Sequence, residues 1–154
     1  MNAFLSSEKT SKKKAMRKIS EIIIHCSDTP AGEDFCAADI DRWHKERGWS
    51  CIGYHYVIRL DGTIEKGRDI SRAGAHCAGH NVNSIGVCYI GGRSARGVSP
   101  VSYYDTRTEA QKKALRTLIA DLRKQFGANL KVVGHRDYNS AKACPCFDVK
   151  AEKY

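Results

Sequence analysis

The chain has 154 residues, and its 26 Lys and Arg against 17 Asp and Glu give a formal charge of +9 at neutral pH. That length fits one domain with its own hydrophobic core and excludes a multidomain machine. The longest apolar runs are far shorter than the roughly 20 residues that cross a bilayer, so we expect no membrane insertion. The seven cysteines have no framework spacing, which predicts free thiols.

The N-terminal segment is strongly basic. Residues 1–18 carry six Lys and Arg against one Glu and show neither helical nor strand periodicity, so we interpret them as a flexible basic tail that precedes a domain at 19–154. The tail is either a solvated extension without a partner or a contact for polyanions. Because the start has no apolar stretch of the signal-peptide kind, we expect synthesis in the cytoplasm without a signal peptide.

The first elements alternate between strand and helix. Residues 22–24 form a β-branched run, which predicts a strand covered on both faces and ending at His25. Asp34 is predicted to cap a helix that runs to Arg47 and is followed by a glycine. His44 lies within this helix, and we expect it at the helix surface.

A hairpin is predicted in the middle of the chain. Residues 54–60 and 63–66 read as strands, and the Asp61-Gly62 pair between them suits the positive φ angles of a hairpin turn. After a loop, residues 84–90 again have the composition of a central strand.

The last third repeats the helix and strand order. Thr106 and Glu109 form a candidate capping box for a second helix that ends before Gly127. Residues 130–134 predict a final buried strand that ends at His135, followed by an irregular segment. This order predicts a single-domain α/β fold in which a central mixed β-sheet is flanked by helices.

Two predicted strands end in a histidine, and sites in α/β folds gather where strand ends open into loops. His25 and His135 could therefore meet, and Cys144 follows nine residues after His135. Two imidazoles and a thiolate are a ligand set that zinc accepts with a fourth position open to water, as in catalytic sites. From the residues alone, satisfied polar side chains at the strand ends remain the alternative.

Four ordered segments resemble a known enzyme family. They are IIIHCSDT at 22–29, RWHKERGWSCIGYHYVIRLDGTIEKGR at 42–68, GAHCAGHNVNSIGVCYIGG at 74–92 and GHRDYNSAKACPCFD at 134–148. In these segments the chain resembles the zinc-dependent N-acetylmuramoyl-L-alanine amidases, a superfamily of phage amidase-type lysozymes and animal peptidoglycan recognition proteins. It is most similar to the phage lysozymes, and the resemblance covers almost everything from residue 19 to 148.

The resemblance implies a zinc site at the strand ends and the groups that act beside it. His25, His135 and Cys144 match the family's Zn²⁺ ligands, and zinc lowers the pKa of a bound water to about 7. Tyr54 and Lys142 match its catalytic positions. A tyrosine hydroxyl can hydrogen-bond the attacking water or the carbonyl. A fixed lysine cation can stabilise the oxyanion that forms.

The roles of three further residues each have more than one possible interpretation. His76 and Asn81 fall in the loop that lines the sugar and peptide groove of similar proteins, which implies substrate binding; hydrogen bonding within the loop is the alternative. Cys146 lies two residues beyond Cys144 and has no counterpart in the family. It could compete for the metal or form a disulfide with Cys144.

The resemblance implies a zinc-dependent peptidoglycan hydrolase that cleaves the amide between N-acetylmuramic acid and L-alanine of the stem peptide. Peptidoglycan is then the partner, and we expect a monomeric phage or prophage endolysin that reaches the bacterial cell wall after release at lysis. The alternatives are a non-catalytic peptidoglycan-binding module and a cytosolic wall-recycling amidase. Nucleic acid is not an expected partner, because residues 8–18 contain no aromatic residue among the basic ones.

Overall fold

A mixed β-sheet forms the centre of the computed structural model, which describes residues 16–154. The strands are β1 (Glu21–Cys26), β2 (Thr29–Pro30), β3 (Tyr56–Ile58), β4 (Ile64–Lys66), β5 (Ser84–Tyr89), β6 (Gly92–Arg93) and β7 (Lys131–Gly134). The helices are α1 (Ala37–Glu46), α2 (Glu109–Phe126), α3 (His135–Tyr138) and a 3₁₀ turn (Lys150–Glu152).

The main sheet has the strand order β4-β3-β5-β1-β7 within the described residues. β1 is parallel to both β5 and β7, and β3 is parallel to β5. β4 runs antiparallel to β3, while β2 and β6 form a separate parallel pair. The parallel strands therefore direct their carboxyl ends to one edge of the sheet.

The two faces of β1 belong to different layers of the core. Ile22 and Ile24 pack in the cluster that includes α2, whereas Ile23 packs with Cys77 and Val133 on the other side. Because side chains alternate along a strand, His25 lies on the Ile23 face, away from α2. All six residues of β1 are buried, as expected for a strand covered on both faces.

The first helix begins later than the sequence predicts. α1 starts after Cys36, whose backbone N–H donates to the Asp39 carboxylate at 2.9 Å. Asp34, the predicted cap, instead accepts a hydrogen bond from the Arg59 guanidinium at 2.6 Å. That capping prediction was wrong because a long-range ion pair holds the Asp34 carboxylate away from the start of the helix.

The second helix is capped two residues beyond the predicted position. Thr108 is the N-cap, and it exchanges hydrogen bonds with Gln111 in a capping box. The hydroxyl of Thr106 instead accepts from the backbone N–H of Gly92 at 2.7 Å. The predicted box of Thr106 with Glu109 was therefore wrong, although the helix itself and its end before residue 127 agree with the prediction.

The hairpin forms at the predicted place. Ile58 pairs with Ile64, and the connection contains Asp61 and Gly62. Gly62 has a φ of 88°, a left-handed conformation in which glycine carries no Cβ penalty. The ladder is shorter than predicted, since β3 covers only three residues of the expected 54–60 strand.

Most of the predicted tail, residues 1–15, lies outside the described residues. Within the described part, the Arg17 guanidinium donates to the carbonyls of Ile70 at 3.0 Å and Ser84 at 2.8 Å. Arg17 is therefore anchored to the domain that follows it. The boundary at residue 18 stays a prediction.

The predicted fold class is confirmed by a mixed sheet that is flanked by helices. One segment differs, because the residues after β7 form the short helix α3 rather than an irregular loop. No helix within residues 16–154 combines the length and the apolar character that a membrane crossing requires.

Replacing Gln111 with leucine should destabilise the protein. The buried Gln111 side chain donates to the Ile90 carbonyl at 3.0 Å and accepts from the backbone N–H of Thr108 at 2.9 Å, so leucine would leave both backbone groups without these partners. We expect the free energy of unfolding in urea to fall by about 2 kcal/mol. Lys113→Leu, at an exposed position of the same helix, should change it little. Equal stabilities of the two variants would contradict this role of Gln111.

Candidate metal centre and active site

Parallel strands bring two histidines together. His25 is in β1 and His135 directly follows β7, and Ile24 of β1 is in register with Gly134 of β7. The two imidazole rings therefore meet at the carboxyl edge of the sheet, with their centroids 4.7 Å apart. His25 is 1% exposed, whereas His135 is half-buried and reaches the surface.

The loop after α3 returns a cysteine to the same edge. The Cys144 carbonyl accepts a hydrogen bond from the backbone N–H of Arg136 at 2.9 Å, which folds the loop back on α3. The Cys144 Sγ accepts from the backbone N–H of Cys26 at 3.2 Å and lies 3.8 Å from Nδ1 of His25. The sulfur is thus held against the end of β1.

The chemistry and spacing of these three side chains fit zinc. One ligand atom from each of His25, His135 and Cys144 lies within 4.8 Å of the other two, and no other such group occurs in residues 16–154. In tetrahedral geometry, Zn–N bonds of about 2.1 Å and Zn–S bonds of about 2.3 Å place the nitrogen and sulfur about 3.6 Å apart. The observed separation of His25 Nδ1 and Cys144 Sγ is 3.8 Å.

Both imidazoles are held in the neutral form that binds metals. Burial lowers the pKa of His25 well below its usual value, and the neighbouring His76 and His135 lower it further. Burial, followed by the charge of Lys142, lowers the pKa of His135. A neutral ring keeps a lone pair for a cation, so little proton competition is expected at neutral pH.

Tyr54 and Lys142 border the same cavity, whose volume is about 550 Å³ and whose lining includes His135 and Cys144. The Tyr54 ring centroid is 5.0 Å from that of His25. Burial raises the pKa of Tyr54 well above its usual value, and nearby cysteines raise it further, so the phenol stays protonated. Lys142 is exposed at the cavity rim. The structure therefore brings the five predicted metal and catalytic residues together.

The cavity wall includes a histidine that was predicted to lie elsewhere. His44 is 7% exposed and lines the cavity, so its predicted location at the helix surface was wrong. Its Nδ1 accepts the backbone N–H of Gly53 at 2.9 Å, which places the ring proton on Nε2. The signal was present in the sequence, since His44 shares the spacing of the buried Ile40 on the same helix.

Further cavity residues come from α1, from the residue that caps its C-terminus and from the loop before α2. They are Trp43, Arg47 and Tyr103. Tyr103 is 54% exposed, and its sequence context carries no periodic pattern that would predict a place in the site.

The residues predicted to bind substrate are engaged within the protein. His76 is 9% exposed, and its Nδ1 lies 2.8 Å from Nε2 of His25. The Asn81 side-chain oxygen accepts the backbone N–H groups of His76 and Cys77, both at 2.9 Å. Neither residue lines the cavity beside Cys144. Their contact with substrate stays a prediction.

Cys146 lines the same cavity as Cys144, but its thiol contacts residues other than the candidate metal ligands. Its Sγ lies 3.8 Å from that of Cys26 and donates to the carbonyl of Gly92 at 3.3 Å. Cys146 is not part of the group of converging ligand atoms, and within residues 16–154 every cysteine is a free thiol. The geometry thus favours neither competition for the metal nor a bond to Cys144.

Comparison with known proteins identifies similar chains among phage proteins. The sequence profile of the N-acetylmuramoyl-L-alanine amidase family matches residues 15–147. An endolysin of Klebsiella phage KP32 is 44% identical over 135 residues, which cover 87% of this chain and 85% of that protein. An endolysin of Escherichia phage T7 is 42% identical over 130 residues, covering 84% of this chain and 82% of that protein.

The fold is also similar to that of a solved bacterial structure. The N-acetylmuramoyl-L-alanine amidase LysC from Clostridium intestinale superposes with a TM-score of 0.72 at 28% sequence identity. The superposition covers 89% of this chain and 83% of that one. The similarity therefore extends over most of the fold.

Removing the sulfur at position 144 should abolish tight zinc binding. Cys144→Ala deletes one of three converging ligands, so we expect zinc affinity, measured by competition with a chromogenic chelator, to fall by at least about 100-fold. Cys146→Ala is the matched control, because this thiol contacts Cys26 and a carbonyl instead. It should keep the affinity within about threefold of the original chain. A larger loss in Cys146→Ala than in Cys144→Ala would contradict the ligand set.

Proposed function

The chain belongs to the N-acetylmuramoyl-L-alanine amidase family, and we propose that it is a zinc-dependent peptidoglycan hydrolase. The bond cleaved is the amide between N-acetylmuramic acid and the L-alanine of the stem peptide. The observation that carries the proposal is the convergence of His25, His135 and Cys144 within 4.8 Å, beside a cavity of about 550 Å³. Cavities of this size accommodate small organic ligands or a segment of a polymer.

The three proposed ligands would each contribute one atom to a bound metal ion. Neutral His25 and His135 supply nitrogen lone pairs, and Cys144 supplies a sulfur whose negative charge the Cys26 backbone N–H stabilises. Zinc bound there supplies a Lewis acid for the amide carbonyl and lowers the pKa of water. Because three protein ligands leave a fourth position open, the set is of the catalytic rather than the structural kind.

Tyr54 acts as a hydrogen-bond donor. Its ring lies beside that of His25 and borders the cavity, and its raised pKa keeps the hydroxyl protonated throughout the neutral range. A protonated phenol can orient the attacking water or donate to the carbonyl oxygen of the scissile amide. Both roles require the hydroxyl and not the ring alone.

Lys142 supplies a cation at the reacting carbonyl. Its charge is close enough to His135 to lower the pKa of that imidazole, and its side chain borders the cavity. Attack on the amide moves negative charge onto the carbonyl oxygen. A cation that is already in place stabilises that charge more in the transition state than in the ground state.

The setting that we propose is bacterial lysis by a phage or prophage. The curated relatives from phages KP32 and T7 are endolysins. The formal charge of +9 favours approach to an anionic cell wall. We propose that the protein acts as a monomer on the wall after release at lysis.

Hydrolysis of purified peptidoglycan tests the proposal directly. Zinc-loaded protein should release stem peptides with a free L-alanine amino terminus, identified by mass spectrometry, whereas chelator-treated protein should release none until zinc is restored. Protein that binds the polymer without releasing peptides would indicate a recognition module instead. Cleavage only of small cytosolic wall fragments would support the recycling setting.

Truncating Lys142 should slow turnover without loss of the metal. We expect Lys142→Ala to lower kcat by about 100-fold, because one preorganised donor to a developing oxyanion is lost. Zinc content should remain that of the original chain. Lys153→Ala, at an exposed position outside the cavity, is the control and should leave kcat unchanged. An unchanged rate in Lys142→Ala would return Lys142 to the role of an ordinary surface residue.

A further inference from the structure

The two ring nitrogens of His25 face different partners. Nδ1 is directed to the candidate metal position, since it lies 3.8 Å from Cys144 Sγ. Nε2 lies 2.8 Å from Nδ1 of His76, and the His76 ring continues the contact through Nε2, 3.2 Å from Oγ of Ser84. A buried chain of three side chains therefore leads away from the site, on the side opposite the metal.

We propose that His76, supported by Ser84, is a positioning residue that selects the metal-binding tautomer of His25. The inference deepens the proposed function, because it rests on the same zinc centre. It assigns His76 a role through His25 and not through contact with the substrate.

The direction of the hydrogen bonds follows from the tautomers of neutral imidazole. A His25 that presents the Nδ1 lone pair to a cation carries its proton on Nε2. That proton can be donated only to an acceptor, so Nδ1 of His76 is unprotonated and the His76 proton is on Nε2. The Ser84 hydroxyl then accepts from His76. When His25 binds the metal through Nδ1, each donor in the chain faces an acceptor; the reversed chain, in which Ser84 donates, would place the His25 proton on Nδ1 and block metal binding there.

The His76 ring occupies a slot that the backbone of two glycines forms. A Cβ built on Gly86 would lie 2.6 Å from Cδ2 of His76, and one built on Gly74 would lie 2.5 Å from the same atom. No larger residue fits at either position without displacing the ring. Asn81 also fixes the loop, since its side-chain oxygen accepts the backbone N–H of His76. The ring thus packs against both glycines and is contacted at both nitrogens.

Zinc affinity measured without substrate separates positioning from packing. In His76→Ala, His25 loses the acceptor for its Nε2–H, so the zinc dissociation constant should rise by about 10- to 100-fold. In His76→Asn, the side-chain oxygen reaches the place of Nδ1 and should restore affinity to within about threefold of the original chain. Failure of the asparagine to restore affinity, in a protein whose metal-free melting temperature is unchanged, would overturn the proposal.

His80→Ala is the matched control, because it makes the same substitution in the same loop at a residue that stacks on Tyr138. Zinc affinity in this variant should equal that of the original chain. A loss as large as that of His76→Ala would mean that any change in the loop weakens the site, and would overturn the specific role.

Nitrogen-15 NMR of the imidazoles reads the tautomers directly. In the zinc-loaded protein, His76 should be protonated on Nε2 and unprotonated on Nδ1, and a protonated Nδ1 would overturn the proposal. These measurements do not depend on hydrolysis. A chain that binds zinc with the expected tautomers but cleaves no peptidoglycan would support the positioning role and contradict only the proposed activity. A chain that binds no zinc would overturn both.

Discussion

β1 is hydrogen-bonded along both edges to parallel strands, and this pairing determines where each proposed ligand lies. Parallel neighbours end at one edge of the sheet, so a residue at the end of β1 meets the residue that follows β7. His25 and His135 meet for this reason. The backbone N–H of Cys26 at the same strand end then donates to the sulfur of Cys144. A shift of one residue in the register of β1 would place the His25 side chain on the α2 face of the sheet, away from His135 and Cys144.

Burial at this edge is compensated by hydrogen bonds. Burying a polar ring without a hydrogen-bond partner costs folding free energy, and the buried histidines of this site have such partners. His25 contacts His76, His76 contacts Ser84, and His44 accepts from a backbone N–H. Burial also keeps His76 neutral by lowering its pKa to about 3. The same low polarity that makes these groups expensive to bury holds them in the unprotonated state that a metal site needs.

Residue patterns predicted the parts of the fold that depend on neighbours in sequence. β-branched runs located β1, and the Asp61-Gly62 pair located the hairpin. Helix starts were less predictable. Thr106 and Thr108 each precede an acidic or amide residue by three positions, so both satisfy the capping-box pattern. The hydroxyl of Thr106 accepts a hydrogen bond from the backbone N–H of Gly92, in a distant strand. Because of this contact Thr106 does not cap the helix, and Thr108 is the cap.

The sequence by itself determined the fold class, the family and the identity of the side chains proposed to hold zinc, because these follow from local periodicity and from ordered motifs. Tertiary structure decided what each remaining polar residue contacts. His76 lies on a loop and His44 on a helix, and the local sequence pattern of neither element predicts which residue the histidine contacts. Packing buries His76 against His25 and places His44 in the cavity wall. Such contacts join residues far apart in the chain, and their geometry exists only when the sheet has formed.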